Sequence, residues 1–248
     1  SAGPGCRCAL WSAVLVTMPQ PRKTLILGAT SAIAAEVAAL CAARGDRLYL
    51  VGRSPDKMQA LIPLLGAAVV GHECCDLDEL DLAEVRVARA IEQLGGLDNA
   101  LIAHGYLGDQ ARSERDVVYA QKIIVTNFTS AVSLLMPIAD HLESQGSCHV
   151  AVITSVAGER GRPRNYTYGA AKRGLSCYLE GLRSRLYHRG VHVHNIKLGP
   201  VDTPMSAGHS QNCLWGEKAP VARGIVNAME RRWHVVYLPR VWGPVMSI

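Results

Sequence analysis

Three side chains in the second half of the sequence have the types and spacing that suit proton transfer. Ser155 ends an apolar run, Tyr168 follows thirteen residues later, and Lys172 lies four residues beyond Tyr168. Positions four apart share one face of a helix, so the phenol and the ammonium are expected to point the same way. A nearby ammonium favours the phenolate, which predicts a pKa for Tyr168 below its usual value of about 10. Tyr168 would then serve as a general acid near neutral pH.

A second group, in the first half of the chain, suits a dinucleotide. Gly28 follows a short apolar run and permits a tight turn, and the helix after it offers free N–H groups to a pyrophosphate. Arg53 takes the position after the second strand, where an arginine suits a ribose 2′-phosphate, so NADP(H) is predicted over NAD. Lys57 is expected on a solvated helix face. Asp76 is expected either to contact adenine or to cap a helix.

These groups must be positioned by short apolar strands that alternate with helical patterns. Such alternation predicts a single doubly wound α/β domain of the Rossmann type, with a mostly parallel six- to seven-stranded sheet, over 18–248. Residues 1–17 are predicted to be a disordered extension. The predicted strands are Thr24–Leu27, Arg47–Val51, Ala67–Gly71, Asn99–Ala103, Cys148–Thr154, Val191–Leu198 and Val235–Leu238. The predicted helices follow Gly28, open at Pro55, and cover Leu82–Leu94, Arg115–Leu142 and Tyr166–Arg189.

Composition narrows the class of protein. The net charge of +5 is spread along the 248 residues without a Lys/Arg block, so no nucleic-acid partner is expected. The eight cysteines lack the paired spacing of a metal site, which favours reduced thiols in a cytoplasmic protein without a bound metal. No run of eighteen apolar residues is present, so no membrane span is predicted.

From about Arg22 onward the chain resembles the short-chain dehydrogenase/reductase family. The resemblance implies that Tyr168 donates a proton to a substrate carbonyl and that Ser155 orients this carbonyl. It also implies that Lys172 binds the nicotinamide ribose and that Asn127 anchors a water relay. The matching motifs are Gly28–Ala34, Asp76, Ala103–Gly105, Thr126-Asn127, Ile153–Gly158, Tyr168–Lys172 and Gly199–Pro204.

The resemblance also implies a set of cofactor contacts around the two groups above. Two departures from the family pattern weaken this prediction. Ala32 and Ala34 replace glycines of the first turn, so NADP(H) is expected to sit further out or bind more weakly. An asparagine pair is missing before His104, which is expected either to contact the cofactor or substrate or, as the favoured alternative, to pack at the strand end. The predicted cofactor contacts are Gly28, Thr30, Ser31, Ala32, Ile33, Arg53, Asp76, Leu77, Ala103, His104, Gly105, Tyr168, Lys172, Pro200, Val201 and Thr203.

The function predicted from these residues is the NADPH-dependent reduction of a small-molecule ketone or keto-sugar. A non-catalytic NADP-binding sensor or scaffold is the alternative, motivated by the two departures. A nucleotide-sugar epimerase or dehydratase is disfavoured, because the roughly thirty residues after Glu217 leave no room for a substrate domain.

A narrower resemblance is to bacterial decaprenylphosphoryl-2-keto-pentose reductases, which implies a keto-sugar linked to a lipid phosphate. Arg160, Arg162 and Arg164 would then contact phosphate, although a solvated basic loop is the favoured reading. Trp215 is expected either to cover the substrate or to pack. The resembling stretches are Gly105–Asp109, Thr126–Ser133, Ala157–Arg160 and Pro204–Ala207.

Two segments near the end of the sequence carry predictions of their own. The polar stretch Ser206–Glu217 is expected to be a mobile lid. The apolar segment Val235–Ile248 is expected to pack in a homodimer or homotetramer, with peripheral membrane contact as the alternative.

Overall fold

A computed structural model describes residues 21–146, 148–204 and 214–247 of the protein. The predicted extension over 1–17 and most of the predicted lid, up to Cys213, lie outside the described residues. The strands within the described ranges are β1 (Lys23–Leu27), β2 (Arg47–Gly52), β3 (Val69–Cys74), β4 (Asn99–Ile102), β5 (His149–Ser155), β6 (His192–Leu198) and β7 (Val235–Leu238). The helices are α1 (Ala32–Ala43), α2 (Pro55–Leu65), α3 (Ala83–Leu94), α4 (Gln110–Ser113), α5 (Val117–Ile124), α6 (Ser130–Gln145), α7 (Tyr166–Leu186), α8 (Lys218–Glu230) and α9 (Trp242–Ser247).

All seven strands form one sheet in the order β3-β2-β1-β4-β5-β6-β7, and every described pairing is parallel. The chain builds outward from β1 to β3 and then crosses to β4, so the order reverses between β1 and β4. In doubly wound sheets a ligand binds at the carboxyl ends of the strands beside this reversal. The predicted α/β class is therefore confirmed. The sheet has seven strands within the described residues, the larger of the two predicted numbers.

Helices cover both faces of the sheet, which explains why its strands are continuous apolar runs. In β1, Leu25 and Leu27 face the layer of α3, α6 and α7, whereas Ile26 faces the layer of α1, α2 and α8. All three side chains are at most 1% exposed. Burial on both faces anchors the strands, and their carboxyl ends are thereby held in place.

The predicted long helix Arg115–Leu142 is wrong in detail, because the chain is divided there. Within that range it forms α5, a π-helical turn over Val125–Thr129, and α6, and the short helix α4 precedes it. The Asn127 side chain donates to the carbonyl of Ile123 at 2.8 Å and stabilises this widened turn. The third strand also begins later than predicted, since Gly66–Ala68 forms a 3₁₀ turn. Helices α8 and α9 were not predicted.

By its length and apolar composition alone, the stretch Val117–Gln145 could cross a membrane. Half of its most apolar window is buried inside the domain, where α6 packs against α3 and α7. Within the described residues this stretch is thus accounted for as a core helix with a π turn.

Candidate active site

A cavity of about 660 Å³ opens at the carboxyl ends of the strands. Its lining includes every predicted cofactor contact, from Gly28 after β1 to Thr203 after β6. It also includes Ser155, Tyr168 and Lys172 but does not include Asn127. Residues far apart in the sequence therefore meet in one site because parallel strands place their carboxyl ends along the same edge.

The turn after β1 brings the start of α1 to the cavity. Gly28 has a φ of 84°, and a Cβ there would lie 2.5 Å from the backbone nitrogen of His104, so only glycine fits. Ser31 caps α1, its hydroxyl accepting from the backbone N–H of Ala34 at 3.2 Å. Ser31, Ala32 and Ile33 line the cavity, so the start of α1 borders it, as a pyrophosphate site requires.

Only one of the two alanines that replace family glycines reaches the cavity. Ala32 lines it, whereas Ala34 is 0% exposed and belongs to the core between α1 and the sheet. The expectation that two methyl groups stand against the phosphates is therefore wrong for Ala34. The helix rotates this methyl toward the sheet, because α1 must bury one face.

Two cations lie at the end of the cavity beyond β2. Arg53 and Lys57 are both exposed and both line the cavity. Asp76 lines it as well, and its Oδ1 accepts from the backbone N–H of Asp78 at 3.1 Å. Asp76 therefore caps a turn and not a helix, since α3 begins only at Ala83. This end offers positive charge and an acceptor, which suit the adenosine end of a nicotinamide cofactor.

At the other end, three side chains converge beside the ends of β5 and β6. Ser155 accepts from the backbone N–H of Ala157 at 3.1 Å and donates to the carbonyl of Leu198 at 3.3 Å, and it lies close enough to Tyr168 to affect the pKa of the phenol. The Lys172 ammonium donates to the carbonyl of Ile153 at 3.1 Å. It lies 5.8 Å from the centre of the Tyr168 ring. The predicted shared face of Tyr168 and Lys172 is present.

The predicted effect of Lys172 on Tyr168 is wrong in this structure. Burial raises the pKa of Tyr168 to about 12, although the hydrogen bond with Ser155 acts in the opposite direction. Burial likewise lowers the pKa of Lys172 to about 8. The physical reason is that both groups lie in a poorly solvated pocket, which penalises each charged form. Tyr168 is therefore protonated at neutral pH.

Asn127 is 1% exposed and lies behind the cavity wall. Its Nδ2 donates to the carbonyl of Tyr106 at 2.6 Å, and its Oδ1 accepts from the N–H of Tyr106 at 3.1 Å. A Cβ at Gly105 would come within 2.9 Å of the same Oδ1. The side chain thus holds the Gly105-Tyr106 loop against the π turn, and the water relay implied by the resemblance stays a prediction.

His104 packs at the strand end and also borders the cavity, so both of its predicted positions apply. It lines the cavity, and its Nε2 lies 2.7 Å from the hydroxyl of Ser130. Because Ser130 donates to the carbonyl of Thr126 at 3.0 Å, Nε2 must carry the proton that His104 donates. Burial lowers the pKa of His104 to about 3, so the ring is neutral near pH 7. His104 is therefore packed against α6 while one face of the residue borders the site.

One family model matches most of the chain. Residues 22–213 match the family model described as short chain dehydrogenase. The protein belongs to the short-chain dehydrogenase family. Members of this family are oxidoreductases that use a nicotinamide cofactor on carbonyl or alcohol groups.

The similar proteins in this family cover most of the chain. An uncharacterised oxidoreductase of Mycobacterium tuberculosis is 33% identical over 89% of this chain and 90% of its own length. One of Streptomyces coelicolor is 32% identical over 92% and 91%. Neither name gives a substrate, so the narrower resemblance to keto-pentose reductases stays a prediction.

Solved structures of the family have the same fold. Levodione reductase superposes with a TM-score of 0.79 at 22% identity, over 88% of this chain and 95% of that one. A short-chain dehydrogenase/reductase of Mycobacterium ulcerans gives a TM-score of 0.78 at 21% identity, over 88% of both chains. At these identities the comparison establishes the fold alone.

The structure also assigns cavity positions that the sequence did not indicate. Thr126 and Asp78 both line the cavity and are joined by a 2.5 Å hydrogen bond from the Thr126 hydroxyl to Asp78 Oδ2. Leu107 and Asn165 line it as well. Thr126 could have been found as the neighbour of Asn127 in a family motif. Asp78 had no sequence signal, because its contact depends on how α3 and α6 pack.

The three arginines after β5 have different positions. Arg162 lines the cavity, together with Trp215. Arg160 donates to the carbonyl of Met246 in α9 at 3.5 Å. Arg164 is exposed and is not part of the lining. The basic loop is therefore divided between the cavity, the helix α9 and solvent.

Proposed function

We propose that this protein uses NADPH to reduce the carbonyl of a ketone or keto-sugar, with Tyr168 as proton donor. The observation that carries this proposal is the convergence of Tyr168, Ser155 and Lys172 at one end of a cavity whose other end holds Arg53. When bound, the cofactor supplies the hydride. The protein's own residues supply the proton and the orientation of the carbonyl.

Burial raises the pKa of Tyr168 to about 12, so the phenol carries its proton at neutral pH, while the same burial opposes release of that proton. A phenol that is protonated at neutral pH acts as an acid, which reduction requires. The Ser155 hydroxyl lines the cavity beside Tyr168 and can bind the same carbonyl oxygen and align it with the phenol. After the proton leaves, the Lys172 ammonium, 5.8 Å from the ring, is the nearby cation that offsets the phenolate charge.

Replacing Tyr168 by Phe tests the assigned acid. We expect turnover to fall by roughly 10²–10⁴-fold while NADPH affinity stays within about twofold, because only the hydroxyl is removed. Tyr166→Phe is the matched control, since Tyr166 lies in the same helix but is exposed and does not line the cavity. Substantial turnover by the Tyr168→Phe protein would refute the assignment.

The preference for NADPH is tested at Arg53. Two cations, Arg53 and Lys57, border the cavity beyond β2. We expect the wild type to bind NADPH more tightly than NADH. Arg53→Ala should lower this preference by roughly tenfold, because it removes one charge-assisted hydrogen bond. Arg47→Ala is the control, because Arg47 is an exposed arginine at the opposite end of the same strand. Equal binding of both cofactors by the wild type would refute the argument.

A substrate panel distinguishes the narrower proposal from the broader one. We propose a keto-sugar linked to a polyprenyl phosphate as the specific substrate, supported by the resemblance at Gly105–Asp109 and by Arg162 in the cavity lining. NADPH oxidation is compared across simple ketones, free keto-sugars and the lipid-linked keto-pentose. NADPH binding without turnover on any of them would favour a sensor or scaffold instead.

We also propose that the protein is cytoplasmic and forms a homodimer or homotetramer. Support comes from apolar side chains on α5 and α6 that remain exposed, namely Val117 (71%), Val118 (70%) and Met136 (56%). Light scattering on the purified protein tests this assembly, and a monomeric mass would contradict it. Co-sedimentation with anionic vesicles tests the alternative of peripheral membrane contact.

A further inference from the structure

We propose that α9 supports one wall of the substrate end of the cavity and that Trp242 is the residue that positions this wall. The inference rests on the proposed reductase function for the meaning of "substrate end". Its structural basis is that Trp242 contacts three separate segments that contribute Arg162, Gly199 and Trp215 to the cavity lining. These three residues are called the α9 wall below.

The first contact is with the end of β6. Trp242 is 6% exposed, and its indole packs directly on Gly199. A Cβ at Gly199 would lie 2.1 Å from Trp242 Nε1, so the glycine is needed for this approach. Gly199 is also held by its N–H, which donates to the carbonyl of Leu238 in β7 at 2.9 Å. The indole therefore backs the cavity where Gly199 and Pro200 line it.

The second contact is a hydrogen bond to the segment that carries Trp215. Trp242 Nε1 donates to the carbonyl of Leu214 at 3.0 Å, in the peptide that leads into Trp215. The same segment is joined to the strand end by Gly216, whose N–H donates to the carbonyl of Pro200 at 2.9 Å. The indole and this backbone bridge together hold Trp215 at the cavity.

The third contact is with the loop that follows the catalytic serine. The Arg162 guanidinium lies 5.9 Å from the centre of the Trp242 ring, within the range of a cation–π interaction. Arg160 adds a hydrogen bond to the carbonyl of Met246 in α9. One side chain thus links the loop after β5, the end of β6 and the Trp215 segment. Trp242 itself is not part of the cavity lining, so it acts through the residues that are.

This arrangement predicts a selective effect on substrate. The Gly28 turn and Arg53, at the other end of the cavity, have no described contact with Trp242. A substitution that keeps a ring against Gly199 preserves the support next to Pro200, which is a predicted cofactor contact. Loss of the hydrogen bond to Leu214 alone should consequently weaken binding of the carbonyl substrate beside Trp215, while the chemical step and NADPH affinity change little.

Trp242→Phe is the test, because phenylalanine keeps a ring near Gly199 and Arg162 but loses the donor to Leu214. We expect the KM for the ketone to rise roughly tenfold, with kcat and NADPH affinity within about threefold, from the loss of one buried hydrogen bond. Amide hydrogen exchange in a peptide covering Leu214–Glu217 should become roughly tenfold faster. Trp233→Phe is the matched control, since Trp233 is partly buried but does not line the cavity.

The outcomes are separable. Unchanged exchange over Leu214–Glu217 together with an unchanged KM would overturn the inference. Exchange and NADPH binding need no turnover, so the wall can be tested even if Tyr168 is not the acid. Thermal unfolding is measured first. If the Phe variant unfolds more than about 5 °C below the wild type, Trp242→Tyr, which fills more of the indole volume, is used and the same results are expected.

Discussion

Four imidazoles stack at the end of the sheet opposite the cavity, where β5 and β6 begin. His149 Nδ1 lies 3.0 Å from His194 Nε2, and His194 Nδ1 lies 2.6 Å from the carbonyl of Trp233. The carbonyl can only accept, so His194 donates through Nδ1 and receives the Nδ1 proton of His149 on Nε2. His192 and His234 complete the stack, with ring centres 6.0 Å apart. This pattern requires His194 to be neutral, because its Nε2 must accept a proton from His149.

The stack makes the protein sensitive to acid. Burial lowers the pKa of His149 to about 3 and that of His194 to about 4. The nearby cations Arg22 and Arg232 also lower the pKa of His149. The imidazoles of His192 and His234 also lower the pKa of His194. An unfolded histidine titrates at about 6.5, so below that pH the unfolded chain binds protons that the folded protein excludes.

The expected loss of stability can be worked out from these values. The contribution is fully present above about pH 6.5 and decreases as the pH falls toward the folded pKa values. At pH 5 each of the two buried rings costs about 2 kcal/mol, so the pair lowers the free energy of unfolding by about 4 kcal/mol. That is a large part of the stability of a domain of this kind, which is roughly 5–15 kcal/mol.

Urea denaturation at pH 7.5 and pH 5.0 tests this prediction. Between pH 7.5 and pH 5.0, the free energy of unfolding of the double variant His149→Gln, His194→Gln should decrease by about 4 kcal/mol less than that of the wild type. This difference is expected whatever the stability of the variant at pH 7.5. His188→Gln should behave like the wild type, because His188 is exposed on a turn. If the double variant and the wild type have the same pH dependence, the reasoning about buried neutral rings is wrong.

Three further changes have defined outcomes. Asn127→Ala removes the carboxamide that bonds to the backbone of Tyr106 and Ile123, and should lower the free energy of unfolding by about 2–4 kcal/mol in chemical denaturation. Gly28→Ala forces a Cβ into a neighbouring backbone and should weaken NADPH binding more than tenfold by calorimetry, whereas an unchanged affinity would contradict the tight turn. Arg86→Met breaks a buried ion pair with Glu73 and should cost about 3 kcal/mol, and a stability equal to the wild type would exclude that role.

Several features of the site followed from local sequence. Continuous apolar strands alternating with helices were sufficient for the parallel sheet, because only such strands can be buried on both faces. Tyr168 and Lys172 share a helix, so their spacing determined their common face. Gly28 and Arg53 directly follow strands, and parallel strands bring their carboxyl ends to one edge. For these residues the position in the sequence already implied the position in the site.

Other features depended on contacts between distant segments. Ala34 could have faced the phosphates or the core, and only the packing of α1 on the sheet decided for the core. The division of the long helix depended on Asn127, whose partners include Tyr106 on a separate loop. Trp242 reaches Gly199 and Leu214 through the placement of α9, for which the sequence carries no periodic signal.

The sequence by itself determined the family, the parallel sheet and which of the predicted site residues meet at one edge of the sheet, because those follow from residue type and short-range spacing. Only the tertiary structure decided the protonation of Tyr168. Tyr168 has a raised pKa and not a lowered one, since its solvation depends on every segment that closes around the cavity. Spacing specifies which groups are neighbours, whereas the energy of a charge depends on how much water the whole fold excludes.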